Sequence, residues 1–168
     1  ARDGDIYLWD ASAAQALSTR ATSLAARAAA AGLTGAPTVA TKVIVSDVDR
    51  HVIVFGADPI TSIGTQDPLL IRFSDQENAI DWTPTTTNTA GDLTLGSGSK
   101  IETAVETRQQ ILVFTDISLY SMQFIGPPFT FGINMISENI TIRGPLAAVA
   151  VDDSVYWMGK NEFYVYNG

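Results

Sequence analysis

Apolar positions change their spacing once along this chain. Near the start, Ile6-Tyr7-Leu8-Trp9 lies between Gly4 and Asp10 and reads as a short strand. Over residues 11–35, Ala14, Leu17, Ala21, Leu24, Ala25 and Ala28 recur at helix-like intervals, and Gly32 is placed to end a helix. An Ala/Ser/Thr connection lying over the domain surface fits the same residues, and the pattern leaves both readings open. From Thr38 onward the apolar residues fall into short strand-like runs. Lys42-Val43-Ile44-Val45 and His51-Val52-Ile53-Val54-Phe55 flank the turn-like Ser46-Asp47-Val48-Asp49, the outline of a hairpin. Further strands are predicted over residues 68–73, 92–95, 101–105, 111–115, 119–124, 131–136, 140–142, 147–151, 155–158 and 163–166. Gly126-Pro127-Pro128 cannot lie inside a strand, because proline lacks the ladder donor. Many short strands separated by turn residues predict an all-β fold, a sandwich, barrel or propeller.

A repeat narrows the choice. Residues 45–56, 104–115 and 148–159 each hold a strand, a polar turn, and an apolar strand closed by Gly or Thr. In the second and third units another strand follows at once, at residues 118–124 and 162–166. Val113 and Trp157 are spaced as in a propeller blade of ~40–50 residues. Val54 and Val113 stand further apart, and the loop-rich residues 74–91 account for the difference. A single meander cannot bury both its faces, whereas stacked meanders can. The expected fold is therefore antiparallel meanders forming part of a β-propeller, since three units are too few to close a ring of at least ~4 blades. Residues 1–37 form an N-terminal strand and Ala-rich connection, possible helix included, and residues 38–168 the propeller-like domain. The chain starts at Ala1 without Met and stops after an aromatic strand-like segment, so a piece of a longer protein is expected.

Composition removes whole classes of function. With 46% hydrophobic and 17% charged residues, the chain is globular. No apolar run approaches the ~20 residues of a membrane helix, and the Ala-rich stretch lacks the pattern of a signal peptide. There is no cysteine and one histidine, His51, which excludes thiolate chemistry and a histidine-based zinc cluster. Acidic residues outnumber basic ones 18 to 10, for a formal charge of −8, so most of the surface should repel a phosphate backbone.

The most distinctive string is Ser74-Asp75-Gln76-Glu77-Asn78-Ala79-Ile80-Asp81-Trp82. It resembles the Asp-box turn of sialidase-type propellers, in which an Asp carboxylate accepts backbone N–H bonds and a Trp packs over the turn. The Gly of that box is missing, with Asn78 as the expected positive-φ substitute. Asp75, Glu77 and Asp81 would serve glycoside cleavage only as a correctly separated pair. Arg50, Arg72, Arg108 and Arg143 are scattered and form no signature for a substrate carboxylate. Asp47 and Asp49 lack the further ligands and Gly of a calcium loop and read as a hairpin turn. His51 is expected to be an exposed or half-buried strand residue. Asn139-Ile140-Thr141 matches a glycosylation acceptor, a pattern frequent by chance. Trp82, Tyr120 and Tyr166 are candidates for a glycan-binding patch, with core packing as the alternative. No catalytic, cofactor-binding or metal-ligating residue is assigned, and no cofactor is expected.

Several strings carry a resemblance: Asp49-Arg50-His51-Val52-Ile53, Asp67-Pro68-Leu69-Leu70-Ile71-Arg72-Phe73, Asp81-Trp82-Thr83-Pro84, Gly91-Asp92-Leu93, Gly126-Pro127-Pro128-Phe129 and Val155-Tyr156-Trp157-Met158-Gly159. They are similar to virion structural proteins of tailed bacteriophages, of the tail-tube or nozzle type found in short-tailed phages. The likeness covers residues 43–168. It implies a structural, non-enzymatic protein of the phage tail, a ring-shaped homo-oligomer through which the genome is ejected. Its partners would be its own copies, adaptor and tail-fibre proteins, and DNA as passing cargo, with no membrane insertion. An acidic lumen would let DNA slide without sticking. The alternative is a tail-associated propeller domain that binds or cleaves glycans.

Overall fold

A computed structural model describes residues 3–9 and 18–168. It is an all-β, antiparallel structure with one short helix among the described residues. Strands β1 (Tyr7–Leu8) and β2 (Thr22–Ser23) pair in a small ribbon that leads into helix α1 (Leu24–Ala30). Three meanders follow. The first sheet holds β3 (Lys42–Val45), β4 (Val52–Phe55), β5 (Leu70–Phe73) and β6 (Gly91–Thr94) in chain order. The second holds β7 (Ile101–Glu106), β8 (Ile111–Thr115), β9 (Ser118–Gly126) and β10 (Thr130–Glu138). The third holds β11 (Ala148–Val151), β12 (Ser154–Met158) and β13 (Phe163–Asn167). Chain neighbours pair within each sheet because short turns bring the next strand back at little loop-closure cost.

The alternation of side chains assigns the faces. From the first sheet, Ile53, Phe55, Ile71 and Phe73 pack against Ile101, Val113, Met122 and Phe131 of the second. The opposite face of the second sheet supplies Leu112, Phe114 and Leu119, which meet Val155 and Trp157 of the third. The far side of the first sheet, with Val54 and Leu70, lies beneath Leu24 and Ala28 of α1 and beside Trp82. The first strands of the meanders stand side by side, β3 against β7 and β7 against β11. The described strands do not close into a ring or barrel.

Three expectations need correction. The Ala-rich helix is shorter than its periodicity suggests. Thr22 and Ser23 are strand, the helix begins only at Leu24, and residues 11–17 of the predicted segment lie outside the described residues. Local chemistry explains the start: the Ser23 hydroxyl accepts the Ala26 N–H at 3.3 Å, capping a backbone that is still extended at φ −60°, ψ 145°. At the other end Gly32 takes φ +76° and the Leu33 N–H bonds the Ala28 carbonyl at 2.9 Å, as predicted for a glycine stop. Second, residues 140–142 are not a strand. Asn139 adopts φ +61° and turns the chain off β10, and Ile142 is buried in the core between the second and third sheets. Third, His51 is neither exposed nor half-buried: it is fully enclosed at the edge of β4.

Candidate functional site

The Ser74–Trp82 turn comes directly out of β5. The Ser74 hydroxyl accepts the Val52 N–H at 3.0 Å and donates to the Asp75 carbonyl at 2.9 Å, which pins the strand end to its neighbour. One Asp75 carboxylate oxygen accepts both the Thr89 N–H (2.8 Å) and the Thr89 hydroxyl (2.7 Å). The positive-φ position is Glu77, at +57°, and not Asn78. Asn78 instead accepts the Ile80 N–H at 3.3 Å through its side-chain carbonyl. The Glu77 side chain pairs with Arg50, and its N–H bonds the Arg50 carbonyl at 2.8 Å. Asp81 takes the Thr83 N–H (3.3 Å) and the Asn88 amide (3.2 Å). The Trp82 indole donates to the Ala79 carbonyl at 2.8 Å and is buried.

Each of the three acids is thus committed to a different local partner, which is the arrangement of a turn built to hold its own backbone. Partial burial pushes the Asp75 pKa up, but the bonds from Thr89 and Gln76 and the nearby His51 outweigh it and hold the carboxyl below its ordinary value. Replacing Asp75 by alanine should therefore lower stability by about 1–2 kcal/mol, since the Thr89 N–H loses a charged acceptor. Urea unfolding at neutral pH measures this, and Thr89→Ala in the same background should add little further loss.

His51 sits above this turn in an aromatic box. Its ring lies 5.2 Å from Phe131 and 5.9 Å from Phe124, centroid to centroid, and its Nε2 is 3.1 Å from the Thr89 hydroxyl. Burial lowers its pKa below 6.5, against the opposing pull of Asp49 and Asp75. The unfolded chain therefore takes up more protons than the folded one as pH falls below 6.5, and stability present above that value is lost on the way down. Glu106, raised above 4.5 by burial and by Asp47 and Asp49, acts with the opposite sign. Asp58, Asp75 and Asp116, lowered from 3.8, act only at still lower pH. In denaturation series between pH 7 and pH 5, His51→Phe should flatten the decline relative to the parent protein; an unchanged slope would remove the histidine from the account.

Two buried polar groups form a hub that spacing alone did not reveal. The Asp58 carboxylate accepts the N–H of Thr38 (3.0 Å), of Val39 (3.3 Å) and of Gly64 (2.7 Å), together with the Thr38 hydroxyl (2.6 Å). Arg72 is 3% exposed and donates to the carbonyls of Asp58 (3.1 Å), Trp82 (3.2 Å) and Gly35. Nothing in the sequence singled out Asp58; an Asp before a proline suggests a turn at most. Of the other arginines, Arg108 pairs with Asp152 at 3.1 Å between the turns of the second and third sheets. Both partners are well exposed, so this bridge contributes little.

Asp47 and Asp49 lie in the β3–β4 turn as expected, and no group of three or more metal-ligating side chains occurs among the described residues. A cleft of about 210 Å³ beside that turn is lined by Ser46, Asp49, Glu106, Gln110 and Met122. Asn139 of the glycosylation pattern is exposed. Of the glycan-patch candidates, Trp82 and Tyr120 are core and Tyr166 packs partly against the third cluster. The exposed aromatic residues are others, foremost Phe163, Phe129 and Tyr7, with Tyr156 next.

The third sheet carries a row of exposed apolar residues. Its strand register aligns Val149, Tyr156 and Val165 across the sheet, with Met158 beside Phe163 in the next row. All five are exposed, Phe163 at 84%. One face of this sheet packs on the second sheet, and the other is exposed among the described residues.

No family model matches this chain, and no curated protein matches it either.

Proposed function

We propose that this protein is a structural component of a phage tail, a nozzle or tail-tube ring through which the genome leaves, and that its three meanders are blades of a β-propeller. The observation that carries the reading is the arrangement of the meanders. Each is an antiparallel sheet made of consecutive strands, and their first strands β3, β7 and β11 stand side by side, as inner strands do around a propeller axis. The commitment of Asp75, Glu77 and Asp81 to their own turn favours a structural role over the glycan-cleaving alternative. The partners under this reading are further copies of the chain, adaptor and fibre proteins, and DNA as passing cargo. No helix among the described residues is long and apolar enough to cross a membrane.

The acidic balance does not collect on the inner strands. β3, β7 and β11 carry only Glu102 and Glu106 among their residues, against Lys42, and most other acids stand in turns and loops. Repulsion of DNA by this protein, if the ring forms, therefore comes from the turns at its ends. Electron microscopy of the assembled particle is the test: density for this fold in a ring around the tail axis is the expected result. A freestanding monomer that releases sugars from host polysaccharide, with release lost in Asp75→Ala, would overturn it.

A further inference from the structure

The β9–β10 hairpin outruns the sheet that carries it. β8 pairs with β9 only as far as Met122, opposite Ile111, so the stretch from Gln123 to Gly126 and its partners Thr130 to Gly132 have no third strand beside them. This tip lies over His51 of the first sheet. Residues 117–137 carry no charge, and the tip is held by rings and one hydroxyl. Phe131 lies 4.9 Å from Phe73 and 5.2 Å from His51, and Phe124 lies 5.9 Å from His51. The Thr130 hydroxyl donates to the Thr89 carbonyl at 3.0 Å.

Two features of this seat are unfavourable. Thr130 holds φ +60°, a left-handed backbone that a β-branched residue rarely adopts. His51 is fully buried, and its Nδ1 makes no hydrogen bond, with the Asp49 backbone near the ring. Its Nε2 faces the Thr89 hydroxyl, which donates its own hydrogen to the Asp75 carboxylate at 2.7 Å. The Thr89 oxygen is therefore the acceptor and Nε2 carries the ring's one proton, leaving Nδ1 a bare lone pair. A second proton must go to Nδ1, which places a cation among three phenylalanine rings.

We infer that the β9–β10 tip, residues 123–131, is a proton-operated lid: it seats on the neutral His51 ring and lifts when that ring takes up a second proton. The charged groups around the ring come from two turns. Asp49 in the β3–β4 turn and Asp75 after β5 both favour the cation, but burial outweighs them and holds the pKa below 6.5. Arg50 and Glu77 pair with each other at the surface, and the hairpin itself contributes no charge. Glu106 lies across the adjoining cleft, which is lined by Asp49, Phe124 and Phe131 and not by His51. Those two rings stand between the histidine and the cleft. Lifting them lets water reach Nδ1 and frees Thr130 from its left-handed backbone. The lid is closed above pH 6.5, and its opening rises at most tenfold per pH unit below that value. Glu106, whose protonation favours the folded form, cannot produce this direction. The inference does not rest on the tail reading.

Hydrogen exchange of the 168-residue chain, expressed as protection factors at pH 7 and pH 5.5, tests it. Protection of amides in residues 123–132 should fall by about 5- to 8-fold between the two, while that of the third sheet stays unchanged. In His51→Phe, which keeps a ring and cannot take the charge, the difference should vanish. A second readout does not need that variant. The chain has one histidine, so its imidazole signal in nuclear magnetic resonance is unique. Phe124→Ala removes a ring that is already 39% exposed and thins the lid, which should raise the titration midpoint of His51 toward 6.5. Equal loss of protection throughout the chain, a pH dependence that persists in His51→Phe, or an unmoved midpoint in Phe124→Ala would each overturn the inference.

Discussion

Replacing Arg72 with methionine lowers the unfolding free energy by about 3–5 kcal/mol. Methionine keeps the apolar stem and much of the volume, so the loss isolates the guanidinium. Three carbonyls, those of Gly35, Asp58 and Trp82, then lose their donor inside the protein. Each belongs to a different segment: the loop after α1, the loop after β4, and the turn after β5. Water cannot readily replace the donor at a site that is 3% exposed. Burial disfavours the charged form of Arg72, while the Asp58 and Asp92 carboxylates favour it, and an arginine stays protonated through such opposing pulls. Arg72→Lys should recover less than half of the loss, because one ammonium cannot span three separated acceptors as a planar fork does. Urea denaturation followed by tryptophan fluorescence measures both. A loss under about 1 kcal/mol for Arg72→Met would mean that the carbonyls find water, and that the hub is less enclosed than described.

Trp82→Ala should be equally severe, at about 3–5 kcal/mol. The indole is 1% exposed and packs in the cluster of Leu24, Ala28, Val54 and Leu70, so its removal opens a void between α1 and the first sheet. It also breaks the bond to the Ala79 carbonyl that closes the turn. Against a typical total of ~5–15 kcal/mol, either substitution removes a large share of the stability. The two effects should not add. Arg72 stands 6.0 Å over the indole ring and bonds the Trp82 carbonyl, so the double variant should lose less than the sum, with a coupling of about 0.5–3 kcal/mol. Additive losses would show that the hub and the aromatic cluster are independent. Because Trp82 anchors α1 as well as the turn, hydrogen exchange in Trp82→Ala should rise first in residues 24–30.

Strand grammar was legible wherever turn chemistry and alternation agreed. The 42–45 and 51–55 hairpin, the paired runs around Thr107-Arg108-Gln109 and the third meander all formed close to where their patterns end. The pattern over-read residues 140–142, where the apolar spacing reflects burial under a neighbouring sheet and not strand pairing. The Asp75 turn was legible as a turn, while its partner Thr89 was not, because that contact joins residues 14 apart through a loop without periodicity. Asp58 and Arg72 carried no signal of their own: a lone charge in a sequence looks the same whether it is solvated or meets carbonyls from three segments.

The sequence by itself determined that this chain makes short antiparallel strands, joined in meanders, with an Ala-rich lead-in stopped at Gly32. These are local matters, decided by side-chain period and backbone preference within about ten residues. Only the tertiary structure decided that α1 covers the outer face of the first sheet, that His51 is enclosed, and which face of the third sheet packs on the second. Both faces of the third sheet have the same alternating pattern, and which of them is buried depends on where the second sheet lies. That position is fixed by packing between distant parts of the chain, to which no single stretch of residues has access.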